Sequence, residues 1–264
     1  MRVIVTRPAR EAAHWMQSLR AEGFDAHALP LITIAPSPAP QALRRAWQDL
    51  AQYQVLMFVS ANAADAFFAA RPAGATWPRT ARAWAPGPGT AAALLRCGLA
   101  PEQIDAPAND AAQLDSESLW QQVQGRAGPG MHMLLVRGTD AGAHSSATPE
   151  RGSGREWLVQ QVTQAGGSVD YVVSYERQVP TANCFDATLA RAAAAAGDIW
   201  LFSSSEAIAN LCALLPDIDW SRSPALATHP RIADAAMRAG FAPVLASRPD
   251  LADVAHALRQ AGAS

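Results

Sequence analysis

One local pattern is written twice in this chain, and it limits the possible folds more than composition does. Residues 197–211, GDIWLFSSSEAIANL, pass from a turn into four apolar residues, Ile199 to Phe202, and then into three hydroxyls. After them Ala207, Ile208, Leu211 and Leu215 recur at helical spacing. A short continuous apolar run suits a strand buried on both faces of a sheet, and the period that follows suits an amphipathic helix. Ser203, Ser204 and Ser205 supply the N-cap between them. Residues 54–68, QVLMFVSANAADAFF, repeat the pattern, with Phe58 standing for Phe202 and Ser60 for Ser204.

Two further echoes keep the same order. Residues 81–98, ARAWAPGPGTAAALLRCG, match 224–240, PALATHPRIADAAMRAG, and Val5-Thr6-Arg7-Pro8 with its helix matches Val136-Arg137-Gly138 with its own. The repeat is too long for a solenoid and about the size of a domain, so the chain reads as two similar α/β lobes. A length of 264 residues agrees, at roughly 100 to 200 residues per domain. Strands alternating with helices of this length imply parallel sheets.

In chain order the pattern predicts strands at 2–6, 24–29 and 55–59, at 81–85 and 131–137, and at 169–177, 199–202, 225–228 and 244–246. Ile104 and Asp105 form a weak strand. Helices follow most of them, and Gly138 to Arg155, rich in Gly, Ser and Thr without periodicity, reads as a surface loop. Leu31 to Pro36 and Val169 to Arg177 occupy the same point of the two repeats and are the candidate crossings between lobes. Periodicity alone leaves open whether the lobes are consecutive or exchanged.

Composition narrows the function. A formal net charge of −2 with no basic block removes the electrostatic footprint that nucleic acid requires. Cys97, Cys184 and Cys212 lack metal or disulfide spacing, which fits a reducing cytoplasm and predicts no metal. The N-terminus enters a strand pattern directly, and no apolar run approaches about 18 residues, so neither export nor membrane insertion is expected.

The chain has no nucleophile elbow, phosphate loop, zinc-binding helix motif or clustered carboxylates. The candidate residues are instead those in loops that leave the carboxyl ends of the strands, where open parallel sheets bind ligands. They are Thr6-Arg7, Ser60, Gly87, Gly89 and Thr90, Arg137, Ser203 to Ser205, and Thr228, His229 and Arg231. Helix N-termini with arginines nearby favour a carboxylate or phosphate ligand. Ordinary capping would explain the serines equally well.

Read together, VTRP, FVSANA, GPGTAxAL, VxxYER, FSSSEA and HPRIA, in that order over nearly the whole chain, resemble uroporphyrinogen-III synthase. The resemblance implies two flavodoxin-like parallel-sheet α/β domains joined by a two-stranded antiparallel linker. Residues 1–31 and 179–264 form a terminal domain, 37–168 an inserted one, and 32–36 and 169–178 the linker strands. It further implies a cofactor-free, cytoplasmic, monomeric enzyme acting on hydroxymethylbilane, with a transient hand-off from hydroxymethylbilane synthase. That substrate is a linear tetrapyrrole rich in carboxylates. It loses water, inverts ring D and closes to uroporphyrinogen III.

Tyr175 matches the family's linker-strand tyrosine and is the candidate for assisting departure of the hydroxyl, since a phenol holds its proton at neutral pH. Many members carry Gly-Pro-Thr-Thr where this chain has His229-Pro230-Arg231-Ile232, which transfers that loop's contacts to His229 and Arg231. The competing reading is a non-catalytic two-lobe binding or sensor protein for an anionic small molecule.

Overall fold

The computed structural model of the chain describes residues 1–107, 116–141 and 154–262. They form two compact units, 1–33 with 178–264, and 34–177. The first strand, β1 (Val3–Val5), leads through α1 (Ala9–Ala21) to β2 (Ala26–Ala28), after which β3 (Thr33–Pro36) enters the second unit. That unit continues through α2 (Pro40–Gln48), β4 (Val55–Phe58), α3 (Ala61–Ala69), β5 (Arg82–Trp84), α4 (Pro88–Arg96) and β6 (Ile104–Asp105). It closes with α5 (Ser116–Val123), β7 (His132–Asp140), α6 (Gly154–Gln164) and β8 (Ser168–Gln178). The first unit is completed by α7 (Ala187–Ala196), β9 (Ile199–Phe202), α8 (Ser205–Leu214) and β10 (Ala225–Ala227), then α9 (Pro230–Arg238), β11 (Val244–Ala246) and α10 (Leu251–Gln260).

The sheet of the first unit has the order β11-β10-β9-β1-β2, with parallel neighbours throughout. That of the second has the order β3-β8-β7-β4-β5-β6, parallel from β8 to β6. Strands β6, β5, β4, β7 and β8 thus repeat the places of β11, β10, β9, β1 and β2. The duplicated stretches of sequence are duplicated structure: α3 and α8 follow the two central strands β4 and β9, with Ser60 and Ser204 as their N-caps.

Burial explains why these runs become central strands. Every residue of β4 and β9 is buried, as a strand covered on both faces requires. Trp200 and Phe202 pack with Trp220 and Phe241 in the first unit, while Phe58 packs with Phe67, Phe68 and Trp77 in the second. Side chains of this size contribute about 1.5 to 3 kcal/mol each when fully buried. Helices α3 and α8 complete the layer through Ala63, Ala64 and Phe67, and through Ala207, Ile208 and Leu211. No helix of the described residues is long and apolar enough to cross a membrane.

The structure corrects the sequence pattern at β7. Residues 138–140 have loop composition, yet they are strand, because Gly138, Thr139 and Asp140 pair with Tyr175, Glu176 and Arg177 of β8. Arg177 Nε also donates to Asp140 Oδ1 at 2.7 Å. A distant partner sequence, not local propensity, makes these residues extended. At the other end of the expected loop, Gly154 and Arg155 already belong to α6, and residues 142–153 lie outside the described residues.

The turns after α4 and α9 give a test of the duplication. Gly98 and Gly240 stand at corresponding points and share a φ of 95°, with open space where a Cβ would project. The cost of alanine there is therefore backbone strain alone, about 1 to 2 kcal/mol. Gly98→Ala and Gly240→Ala should each lower the unfolding free energy by about that amount in urea titrations, with catalysis unchanged. A neutral effect at either glycine would mean that its left-handed turn is not held by the fold.

Candidate active site

In the second unit, chemistry gathers where β4, β7 and β8 approach their carboxyl ends. Ser60 follows β4 in extended conformation and caps α3, its Oγ accepting the Ala63 N–H at 3.1 Å. The same oxygen lies 3.2 Å from the Tyr175 hydroxyl, in a hydrogen bond that either group can donate. Tyr175 is only 3% exposed, so this hydroxyl is held rather than waving in solvent. The N-terminus of α3 begins at this serine, so the pair lies beside the helix end.

The neighbouring strand fixes the ring. Register on β7 and β8 runs Arg137 to Val173 and then skips to Gly138 opposite Tyr175, leaving Ser174 as an extra residue. Such bulges redirect side chains beside functional sites. Ser174 is buried, and its hydroxyl donates to the Arg137 carbonyl at 3.3 Å. The Arg137 guanidinium lies 5.7 Å from the ring centre of Tyr171. Burial pushes the Tyr171 phenol up from its ordinary value, against the pull of Arg137 and with reinforcement from Glu156.

At the end of β5, Gly87 caps α4 without a side-chain hydrogen bond. Pro88 has no N–H, Gly89 is exposed and Thr90 is buried. This helix therefore offers its first turn to an anion without a capping side chain in competition.

In the first unit the corresponding strand ends are occupied differently. The Thr6 hydroxyl donates to the Leu201 carbonyl at 2.8 Å, closing β1 onto β9. Arg7 lies over the Trp15 ring at 4.2 Å and pairs with Glu11 at 3.3 Å. Burial pushes its guanidinium down from the ordinary value and Glu11 pulls it back up. Arg7 Nε is buried without a hydrogen-bond partner among the described residues.

Ser204 Oγ accepts the Glu206 N–H at 3.2 Å; Ser203 is half-buried and Ser205 exposed. Thr228 is buried, and His229 caps α9 by accepting the Arg231 N–H at Nδ1, 3.1 Å away. With Nδ1 accepting, the neutral ring carries its proton on Nε2, and Arg231 of the same loop is exposed. Sequence reasoning placed Gly138 in a candidate loop with Arg137 but missed Glu11, Trp15, Tyr171 and Ser174. The Arg7–Glu11 spacing of four residues was a visible signal; the bulge left none. Among the described residues no group of three or more His, Cys, Asp or Glu is placed to hold a metal ion.

The family model for uroporphyrinogen-III synthase (HemD) matches residues 13–255. The chain belongs to the uroporphyrinogen-III synthase family. It is a cyclising enzyme of tetrapyrrole biosynthesis. Among solved structures, a mutant uroporphyrinogen III synthase of the extremely thermophilic bacterium Thermus thermophilus shares the fold at a TM-score of 0.55, with 18% identity over 99% of this chain and 98% of that one. The wild-type enzyme of the same organism, in a second crystal form, matches at 18% identity over 100% of both chains with a TM-score of 0.43.

The two N-caps of this synthase make separable contributions. Loss of a capping hydroxyl costs about 1 kcal/mol, so Ser60→Ala and Ser204→Ala should each lower stability by that amount. Ser205→Ala, at an exposed helical position, should stay within about 0.5 kcal/mol. Chemical unfolding of the three variants checks this, and an equal loss at Ser205 would reassign the cap of α8.

Proposed function

We propose that the chain binds hydroxymethylbilane and converts it to uroporphyrinogen III, with Tyr175 giving a proton to the departing hydroxyl. The observation that carries the proposal is the buried Tyr175 hydroxyl 3.2 Å from Ser60 Oγ, beside the N-terminus of a helix. Ser60 Oγ already accepts one N–H, and its own proton is free to be donated to Tyr175. In that arrangement the phenol proton points away from Ser60 and is available to the substrate. As it leaves, the Ser60 O–H and the helix end stabilise the charge left on the phenol oxygen.

The rest of the reaction asks little of the protein in covalent terms. The pyrrole nitrogen pushes out the hydroxyl, which departs with the tyrosine proton as water and leaves an azafulvene. Its methylene carbon is then attacked by the substituted carbon of ring D, giving a spiro intermediate. Cleavage and reclosure invert that ring, and loss of a proton restores aromaticity. The bilane also closes unaided to the type I isomer, so selection of the attacking carbon by orientation is the larger part of catalysis.

Substrate carboxylates are assigned to Arg7, Arg137 and the helix N-termini after Gly87, Ser204 and His229. The reading is supported by the buried Arg7 cation, for which an arriving carboxylate offsets lost hydration. Residues 32–36 and 169–178 are taken as linker strands between a terminal domain of 1–31 and 179–264 and an inserted domain of 37–168. Cys97, Cys184 and Cys212 stand as thiols, which suits a reducing cytoplasm, where the enzyme acts as a monomer and receives its unstable substrate by transient hand-off from hydroxymethylbilane synthase.

The test supplies freshly generated hydroxymethylbilane and resolves type I from type III product after oxidation. Tyr175→Phe should slow single turnover by roughly 100- to 10,000-fold, about 3 to 5 kcal/mol of barrier, while the product stays type III. Arg7→Ala combined with Arg137→Ala should instead weaken substrate binding and let type I appear. A Tyr175→Phe enzyme with an unchanged chemical step would remove the tyrosine from the mechanism.

A further inference from the structure

We infer that Gly138 is a positioning residue for the Tyr175 hydroxyl, and that the bulge at Ser174 exists to bring the two together. The inference rests on the proposed role of Tyr175. Its basis is a close approach: a Cβ built on Gly138 would run into Tyr175 Cζ and lie 2.7 and 2.8 Å from the two adjacent ring carbons. The tyrosine ring therefore lies directly against the glycine backbone, and the space for any other side chain is already taken. Gly138 is outside the left-handed region of φ, so its backbone would accept alanine without strain. The three nearest atoms that an added Cβ would meet all belong to the ring.

The bulge explains why the ring faces this glycine. In an uninterrupted ladder Gly138 would oppose Ser174, and Tyr175 would share a face with Val173. With Ser174 as the extra residue, Tyr175 moves opposite Gly138 and onto its face of the sheet. Ser174 Oγ holds the bulge by donating to the Arg137 carbonyl. A single inserted residue and a missing side chain thus set the direction of the phenol, and Ser60 receives it.

An alanine at 138 would push Cζ back by about 1 Å before ordinary van der Waals contact at 3.4 Å is restored. The hydroxyl is attached to that carbon, and the ring is 3% exposed, so the displacement goes to the catalytic oxygen instead of being absorbed in solvent. A misplacement of about 1 Å costs on the order of 100-fold in rate.

The experiment is a double-mutant cycle on the full-length enzyme with freshly generated hydroxymethylbilane. It follows the single-turnover rate, KM, product isomer and melting temperature of Gly138→Ala, Tyr175→Phe, Tyr175→Ala and Gly138→Ala with Tyr175→Ala. Gly138→Ala should lower kcat by about 100-fold with KM changed less than about 3-fold. Once the ring has been removed by Tyr175→Ala, the same alanine should change the residual rate less than about 2-fold, because the sites couple only through the ring. An equal loss from Gly138→Ala in both backgrounds would overturn the inference, since the glycine would then serve something other than the tyrosine.

If Tyr175→Phe is slow while Gly138→Ala turns over normally, the positioning role falls and the tyrosine reading stands. If Tyr175→Phe is itself normal, the tyrosine reading falls and takes this one with it. Should Gly138→Ala prove too unstable to assay, the melting temperature decides. Recovery of folding by added Tyr175→Ala supports the ring contact, and failure to recover overturns it.

Discussion

Each unit is built around a parallel strand buried at every residue, Ile199–Phe202 in one and Val55–Phe58 in the other. A parallel strand covered on both faces must exit at its carboxyl end into a chain that returns across the sheet as a helix. The first residues of that helix have free N–H groups, and a small hydroxyl satisfies one of them. Ser60 and Ser204 are consequences of that geometry before they are anything chemical. The site grows from this: the hydroxyl that caps α3 is also the partner of Tyr175.

The features legible in sequence are those written within one stretch of chain. The apolar run, the hydroxyl and the helical period at 54–68 and 197–211 specify strand, cap and helix with little need of distant residues. The glycines ending α4 and α9 are equally local, and the two α/β units follow from seeing the pattern twice. Features that depend on pairing between distant residues were not legible. Gly138 to Asp140 read as loop by composition and became strand because Tyr175 to Arg177 lie beside them. The bulge at Ser174 leaves no trace in periodicity, since Val172, Val173 and Tyr175 around it show no alternation for a skipped residue to interrupt.

The pairing of Arg7 shows a third case, in which the signal was present but was not used. Glu11 stands four residues on, and Trp15 four beyond it, so all three share one face of α1 and its approach. The structure stacks the guanidinium on the indole and pairs it with the carboxylate. An arginine so held is a directed donor with its entropy already reduced, which suits a planar carboxylate better than a free surface cation would. On the proposed reading, in which Arg7 meets a substrate carboxylate, a chain of net charge −2 would place positive charge locally instead of spreading it over the surface.

Duplication makes the difference between the units informative. Strand β2 ends at Ala28, opposite Val5, and after it the Leu29 N–H donates to the Val5 carbonyl and the Leu31 N–H to the Thr6 carbonyl. Leu31 is fully buried, and its carbonyl accepts a hydrogen bond from Asn210 of α8 at 2.8 Å. The matching strand β8 instead continues beyond Val172, its partner to Val136, through the bulge to Tyr175 and on to Gln178. Where one unit seals its strand end with a buried leucine whose carbonyl accepts the Asn210 side-chain amide of α8, the other presents a phenol to the cap of α3. The framework is common to both, so the proposed acid arises from extending a single strand by a few residues over a glycine that leaves room for the ring.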